Sequence, residues 1–323
     1  MLSKRLRRRL RQIDDGALKR PATDAPAPEP EGQGAPVREQ ASVRVGDPAL
    51  SRDRLNRQVG DAGDTLTDTP APPAPFPVAS GPLEELVPGE AIECADGAYW
   101  RVAGPAREML PHGAEILERY HELTALLGAE DDGPLAGLRG LAPTQLVLLD
   151  TETAGLSSAP IFLVGLIVWE SDAAAEALSV QLFARDYAEE RAVLAATAEL
   201  LRGRRALMTY NGRSFDMPML RERMVYHGLG DCPEPPAHMD LLHAIRARFR
   251  GRWENCKLQT LEKRLCGRSR LGDIEGAAIP DAWHAFVHNG DAGRMAQVME
   301  HNRLDLITML EVLPHLQGPG EDA

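Results

Sequence analysis

Large apolar side chains are scarce up to about Pro77 and return in short bursts from about residue 88 onward. Before the gap, Leu2, Leu6, Leu10 and Ile13 recur at helical spacing while Lys4, Arg5, Arg7, Arg8, Arg9 and Arg11 fill the other faces. That is the pattern of a basic amphipathic helix over Met1–Ile13. From Pro21 to about Pro77 the chain is dominated by Pro, Ala, Asp, Arg and Gly. Such a stretch buries too little surface to offset its ordering entropy, so it is expected to be disordered. Ala91-Ile-Glu93 and Tyr99-Trp-Arg-Val102 flank Asp96-Gly97, the signature of a hairpin. A helix-like segment follows over Ala114–Leu127.

The densest apolar pattern begins near Leu141. Leu146-Val-Leu-Leu-Asp150 predicts a central strand that delivers its last side chain to a sheet edge, and Ile161–Trp169, Leu178–Phe183 and Ala206–Tyr210 predict three more. Helical spacing predicts a helix over Ala188–Leu201. A second opens at Asp216, with Pro218 in its first turn and Gly228 beyond its last; Asp216 is a natural N-cap. Later helices are expected over Leu241–Phe249, Leu258–Leu265 and Gly293–Leu313, the middle one stopped by Gly267. A three-strand meander followed by alternating helix and strand predicts an α/β fold built on a mixed sheet. The expected division is 1–80 for the basic helix and tail, 81–140 for the hairpin and a linker, and 141–318 for the main domain.

Composition narrows the partners. At 5% aromatic residues, base-stacking platforms must be sparse, and a net charge of −12 argues against wholesale attraction to nucleic acid. The distribution of charge matters more than the total, and Arg246, Arg248, Arg250, Arg252, Lys257, Lys263, Arg264, Arg268 and Arg270 form a dense basic stretch. It reads either as a solvated helix pair or as a phosphate-backbone track. Trp253 and Tyr210 are each expected at a core or rim position, with base stacking the other reading. The four cysteines lack metal or redox spacing and are expected to be reduced thiols in a cytoplasmic protein. No apolar stretch approaches the ~20 residues that span a bilayer, so stable membrane insertion is not expected. The N-terminal basic helix offers a contact for a protein, a nucleic acid or an acidic surface; a transit peptide or a merely solvated helix are the other readings.

Three acidic patches carry the chemistry. Asp150 and Glu152 lie two apart at a strand end, where alternate side chains share a face. Asp216 closes Asn211-Gly-Arg-Ser-Phe-Asp, and His301 and Asp305 lie four apart on one helical face. Each has a plain alternative: a solvated strand-to-loop junction, an N-cap, and a surface i,i+4 pair. Carboxylates converging on one point repel strongly unless a multivalent cation sits among them. An oxygen-only set suits Mg²⁺ or Mn²⁺ rather than structural zinc. Two such ions ~3.5–4 Å apart activate a water and stabilise the leaving oxygen of a phosphodiester, with His301 as general base. Asp240 is expected to cap the helix that follows it.

Asp150-Thr-Glu-Thr-Ala-Gly-Leu, Asn211-Gly-Arg-Ser-Phe-Asp216 and His301-Asn-Arg-Leu-Asp305 resemble the three exonuclease motifs of the DEDD superfamily, with its ribonuclease H-like fold. His238-Met-Asp-Leu-Leu-His, Cys256-Lys-Leu-Gln-Thr-Leu-Glu262, Asp273-Ile-Glu-Gly and Ile279-Pro280 resemble the YprB-like branch, related to the proofreading domains of family B DNA polymerases. The likeness covers about Leu141–Leu316. It implies a mixed five-stranded sheet flanked by helices, and Asp150, Glu152, Asp216 and Asp305 as ligands of two divalent cations. It further implies a 3′→5′ exonuclease that cuts single-stranded or frayed DNA or RNA, with Asp150, Glu152, Asp216, His301 and Asp305 as the catalytic set. A structure-selective endonuclease and a non-catalytic nucleic-acid-binding module are the rival readings. Two positions depart from the pattern. His301 has the three-residue gap to Asp305 that the superfamily pairs with tyrosine, and Ala154 stands where threonine is common.

Overall fold

The computed structural model describes residues 79–128, 133–156 and 158–317. The expected basic helix over Met1–Ile13 and the Pro/Ala-rich tail lie outside the described residues.

Seven strands form one sheet in the order β1-β2-β5-β4-β3-β6-β7. They are β1 (Glu90–Cys94), β2 (Gly97–Pro105), β3 (Leu146–Thr153), β4 (Ile161–Trp169), β5 (Ala177–Phe183), β6 (Ala206–Thr209) and β7 (Ala237–Asp240). Strands β3, β4 and β5 form the antiparallel meander, and β6 and β7 add in parallel to β3. The expected five-stranded mixed sheet is thus present as β5-β4-β3-β6-β7 and extended by two strands. The reason is the hairpin: β2 pairs antiparallel with β5, from Trp100–Phe183 to Pro105–Leu178, so the hairpin continues the sheet.

Helices flank the sheet: α1 (Gly113–Leu126), α2 (Glu190–Leu201), α3 (Asp216–Tyr226), α4 (Leu241–Phe249), α5 (Leu258–Leu261, continued by a π-turn to Cys266), α6 (Ile279–Asn289) and α7 (Gly293–Glu311). Strands β4 and β5 are buried along their whole length; β4 accordingly reads as a continuous apolar run, while β5 is apolar except at Ser179 and Gln181. On β3, Val147 and Leu149 join one apolar cluster with α2, α3 and α6, while Leu146 and Leu148 join a second with α1 and α4. Helix α7 serves both clusters, through Met295, Val298 and Met299 in its first half and Leu306, Ile307 and Leu310 in its second. Where its apolar stripe changes cluster, it carries His301, Asn302 and Asp305.

Among the described residues no helix is long and apolar enough to cross a membrane. The four cysteines are free thiols.

Candidate active site

Asp150 and Glu152 sit two apart on β3, both partly buried, at the end where β3 runs past its parallel neighbour β6. Asp150 faces Gly165 across the β3–β4 ladder, and Gly165 in turn faces Gln181 on β5. Helix α7 lies over this row. A Cβ at position 165 would stand 2.0 Å from Asn302 Oδ1, so glycine is what lets the helix come this close. Asn302, fully buried, donates through Nδ2 to Asp150 Oδ2 at 2.8 Å, and Gln181 Nε2 donates to Asn302 Oδ1 at 2.9 Å. The Asp150 carboxylate is therefore oriented by an amide relay running across three strands and a helix.

Asp216 reaches the same place from α3. The expected N-cap role is not what its side chain performs: Phe215 holds the cap position, and Asp216 opens the helix. Its Oδ1 accepts from Thr151 N–H at 3.0 Å and from Thr151 Oγ1 at 2.6 Å, which ties α3 to β3 between Asp150 and Glu152. The loop before it is tight. Asn211 has φ 68°, and a Cβ at Gly212 would stand 2.4 Å from Thr209 Oγ1. Asp240 caps α4 through Leu242 N–H, as expected, and also accepts from Asn211 N–H (2.8 Å) and Arg213 N–H (3.1 Å). One carboxylate thus fixes both the helix start and the loop that leads to Asp216.

His301 and Asp305 project from α7 with imidazole Nε2 and carboxylate Oδ2 3.7 Å apart. Behind them, His301 Nδ1 donates to Asp273 Oδ1 at 2.8 Å, and Arg270 NH2 donates to Asp305 Oδ1. Arg270 also binds Glu262, a fully buried carboxylate that further takes Arg268 (3.0 Å) and Thr308 Oγ1 (2.5 Å). Three residues of the basic stretch thus have acidic partners within the protein: Arg264 pairs with Glu254, Arg268 with Glu262 and Glu311, and Arg270 with three carboxylates, while Arg246, Arg250 and Lys257 line a cavity of about 710 Å³ that has His301 and Asp305 on its wall. Tyr210 and Trp253 stand on the same wall, each half-buried, Trp253 stacked on Phe249 at 4.5 Å. The stretch is therefore split between an internal charge network and a basic wall beside the acidic residues.

The electrostatics mark the four carboxylates as one group. Burial, then Asp305, Glu152 and Asp216, hold Asp150 well above the usual carboxylate range. Burial and the neighbouring aspartates push Glu152 up to about 8, with His301 opposing them. Burial raises Asp216 to about 6 despite the Thr151 hydrogen bonds, and burial raises Asp305 despite Arg270 and His301. His301 is itself pushed up to about 9: burial lowers it, but the Asp273 hydrogen bond and the charges of Asp305 and Glu152 outweigh that. With its acidic neighbours His301 is held as a cation at neutral pH, and an imidazolium donates a proton rather than accepting one.

The donor chemistry fits hard divalent cations, since four carboxylates are offered together and their neighbours' charge raises Asp150 and Glu152. Among the described residues, however, no three His, Cys, Asp or Glu side chains stand in a ready-made ion cage. Three of the carboxylates have donors of the protein's own: Asp150 accepts from Asn302, Asp216 from Thr151 and Asp305 from Arg270. Sequence reasoning found the carboxylates and missed these donors. Asn302 and Arg270 carry no local signal, while Gly165 interrupts an apolar run and marks a close approach.

The chain is 26% identical over 211 residues to the uncharacterized protein YprB of Bacillus subtilis (strain 168), an alignment covering 64% of this chain and 50% of that protein. It thus spans about half the length of that relative. Among solved structures it is similar to the family B DNA polymerase of the hyperthermophilic archaeon Pyrobaculum calidifontis, with a TM-score of 0.41 and 16% identity over 53% of this chain and 25% of that one. A model of the RNase H superfamily matches residues 147–317, more than half the chain, from the first apolar residues of β3 to just past α7. The chain belongs to the RNase H superfamily.

Proposed function

We propose that this protein is a divalent-metal-dependent 3′→5′ exonuclease of the DEDD type, hydrolysing phosphodiester bonds of single-stranded or frayed nucleic acid. The observation that carries the reading is the convergence of Asp150, Glu152, Asp216 and Asp305 from β3, α3 and α7, close enough that the other three raise Asp150 and the two aspartates Asp305 and Asp216 raise Glu152. A group of this kind repels itself until positive charge enters it. The four carboxylates would hold two ions, Mg²⁺ or Mn²⁺, which supply activation of a water and stabilisation of the leaving oxygen.

The chain's own residues supply the rest. Asn302 and Thr151 orient two of the carboxylates from the protein side. Arg246, Arg250 and Lys257 line the cavity that adjoins Asp305, where they suit the phosphates of an entering strand. A local basic wall on a chain of net charge −12 steers the strand to one place without general affinity. His301 faces this cavity and is positioned by Asp273 through Nδ1, which leaves Nε2 on the Asp305 side to hold or move a proton.

Two arms test the reading. A labelled single strand with a free 3′ end should be shortened stepwise, and the same strand with a blocked 3′ end should survive. Internal cuts in the blocked strand would replace exonuclease with endonuclease action. In the second arm His301→Ala should lower turnover by about 10²–10⁴-fold, the scale of a positioned proton-transfer group. His301→Tyr should restore part of it, because the gap to Asp305 is the one the superfamily's tyrosine members use. Full activity in the alanine variant would remove His301 from the catalytic set.

A further inference from the structure

Arg270 holds the most crowded position near the acidic group. Its side chain is 3% exposed and meets three carboxylates: Glu262 at 2.6 and 2.9 Å, Asp273 at 3.3 Å, and Asp305. A guanidinium buried this deeply needs partners, and its planar fork can serve several at once. The three carboxylates do not depend on it equally. Glu262 also takes Arg268 at 3.0 Å and Thr308 Oγ1 at 2.5 Å. Asp273 also takes His301 Nδ1 at 2.8 Å. For Asp305 the other cationic neighbour, His301 Nε2, stands 3.7 Å away, beyond hydrogen-bond length.

The consequence is an asymmetric ion pair. Asp305 relies on Arg270, while Arg270 can release Asp305 and remain bidentate on Glu262 and in contact with Asp273. We propose that Arg270 is the site's built-in counter-cation, which balances Asp305 in the metal-free protein and gives it up to an entering divalent ion. This rests on the metal-dependent reading above and adds a residue that sets how tightly the metal is held. Physically, Asp305 cannot satisfy a guanidinium and a divalent ion at full strength together, and the two positive charges repel across it. Arg270 therefore keeps the empty site folded and opposes metal loading, so that loading responds to the ambient ion concentration.

The test is calorimetric titration of the full chain with Mn²⁺ alone, for wild type, Arg270→Gln and Arg270→Lys, with melting temperatures recorded in EDTA and in Mn²⁺. Arg270→Gln should bind Mn²⁺ about tenfold more tightly, the order expected when one nearby charge is removed from a partly screened site. It should also melt lower than wild type in EDTA and regain the difference in Mn²⁺. Arg270→Lys keeps the charge and should bind Mn²⁺ within about threefold of wild type. Equal or weaker Mn²⁺ binding by Arg270→Gln overturns the exchange and makes Arg270 a simple support for Asp305. Equally tight binding by the lysine and glutamine variants overturns it too, because charge would not be the cause. If Arg270→Gln does not fold in EDTA, folding on addition of Mn²⁺ supports the exchange, and a chain unfolded in both overturns it. Absence of Mn²⁺ binding by wild type is a distinct result: it removes the metal-dependent reading and the exchange with it.

Discussion

Two clusters of buried charge lie at the two ends of α3, and they are built on opposite principles. At the last turn of the helix, Glu190 of α2 is 2% exposed and takes Ile161 N–H at 2.9 Å, Arg223 at 2.7 and 2.5 Å, and His227 at 2.8 Å. Burial alone would raise its pKa, but these donors overcome it and leave the carboxyl below its ordinary value. At the start of the same helix, Asp216 joins Asp150, Glu152 and Asp305, and all four are raised. The first cluster has a donor for each oxygen and is complete as it stands. The second has surplus negative charge and few cations, so it is unsatisfied until positive charge arrives. Burial is common to both; the balance of charge separates a structural ion pair from a site.

Breaking the complete cluster should have the largest effect on stability. Arg223→Met strands Glu190 in the interior, and urea unfolding should show a loss of about 3–5 kcal/mol, the usual cost of leaving one member of a buried pair alone. A loss below about 1 kcal/mol would mean that His227 and Ile161 N–H suffice. Gly165→Ala attacks the support of the other cluster. Its Cβ meets Asn302 Oδ1 at 2.0 Å, so the variant should lose about 1–3 kcal/mol by overpacking and should also lose turnover, because Asn302 can no longer hold Asp150. Wild-type activity in a folded Gly165→Ala protein would dismiss the amide relay.

The pH dependence distinguishes the clusters by sign. Glu190 has a lowered folded pKa, so its contribution is present above its unfolded value of 4.5 and is lost as pH falls through the folded one. Glu152 is raised from 4.5 to about 8, so the folded state holds the extra proton and stability falls as pH rises across that window. His301, raised from 6.5 to about 9, adds stability below 6.5 that is lost through about pH 9. In EDTA the melting temperature should therefore decline from about pH 5 to pH 9, and saturating Mn²⁺ should flatten or reverse the decline. A flat profile in EDTA would remove the repulsion on which the comparison rests. The smallest expected change is a gain: Asp150→Asn removes one like charge and should raise metal-free stability by about 1 kcal/mol, the trade of stability for function common at active sites.

Much of this was legible in the sequence because it is local. β4 and the first half of β3 are continuous apolar runs, β5 and β6 are largely apolar, and Asp150, Glu152, Asp216, His301 and Asp305 sit at strand or helix positions that spacing identifies. What was not legible is either short or long-range. β7 is a four-residue strand following Pro235-Pro236, with too few residues to show a period. Helix α6 has no counterpart among the expected helices; Pro280 lies in its first turn, where the absent N–H costs nothing, and Gly290, at φ 74°, ends it. The pairing of β2 with β5 joins segments some eighty residues apart with no pattern in common. The bond from Asn302 to Asp150 spans 152 residues, and Arg270 was indistinguishable from the other cations of its basic stretch.

The central claim is that the unsatisfied carboxylates form a metal-dependent hydrolytic site. Its most direct test is the turnover of end-labelled single-stranded DNA and RNA by wild type and Asp150→Asn, each in Mg²⁺, Mn²⁺ and EDTA, with circular dichroism confirming that both are folded. The wild type should cut at least one substrate in Mg²⁺ or Mn²⁺ and not in EDTA, and the amide should lower that rate by about 10²–10³-fold or more, the scale of losing a preorganised charge in a catalytic site. Cleavage that persists in EDTA, or an Asp150→Asn protein as fast as wild type in saturating metal, would contradict it.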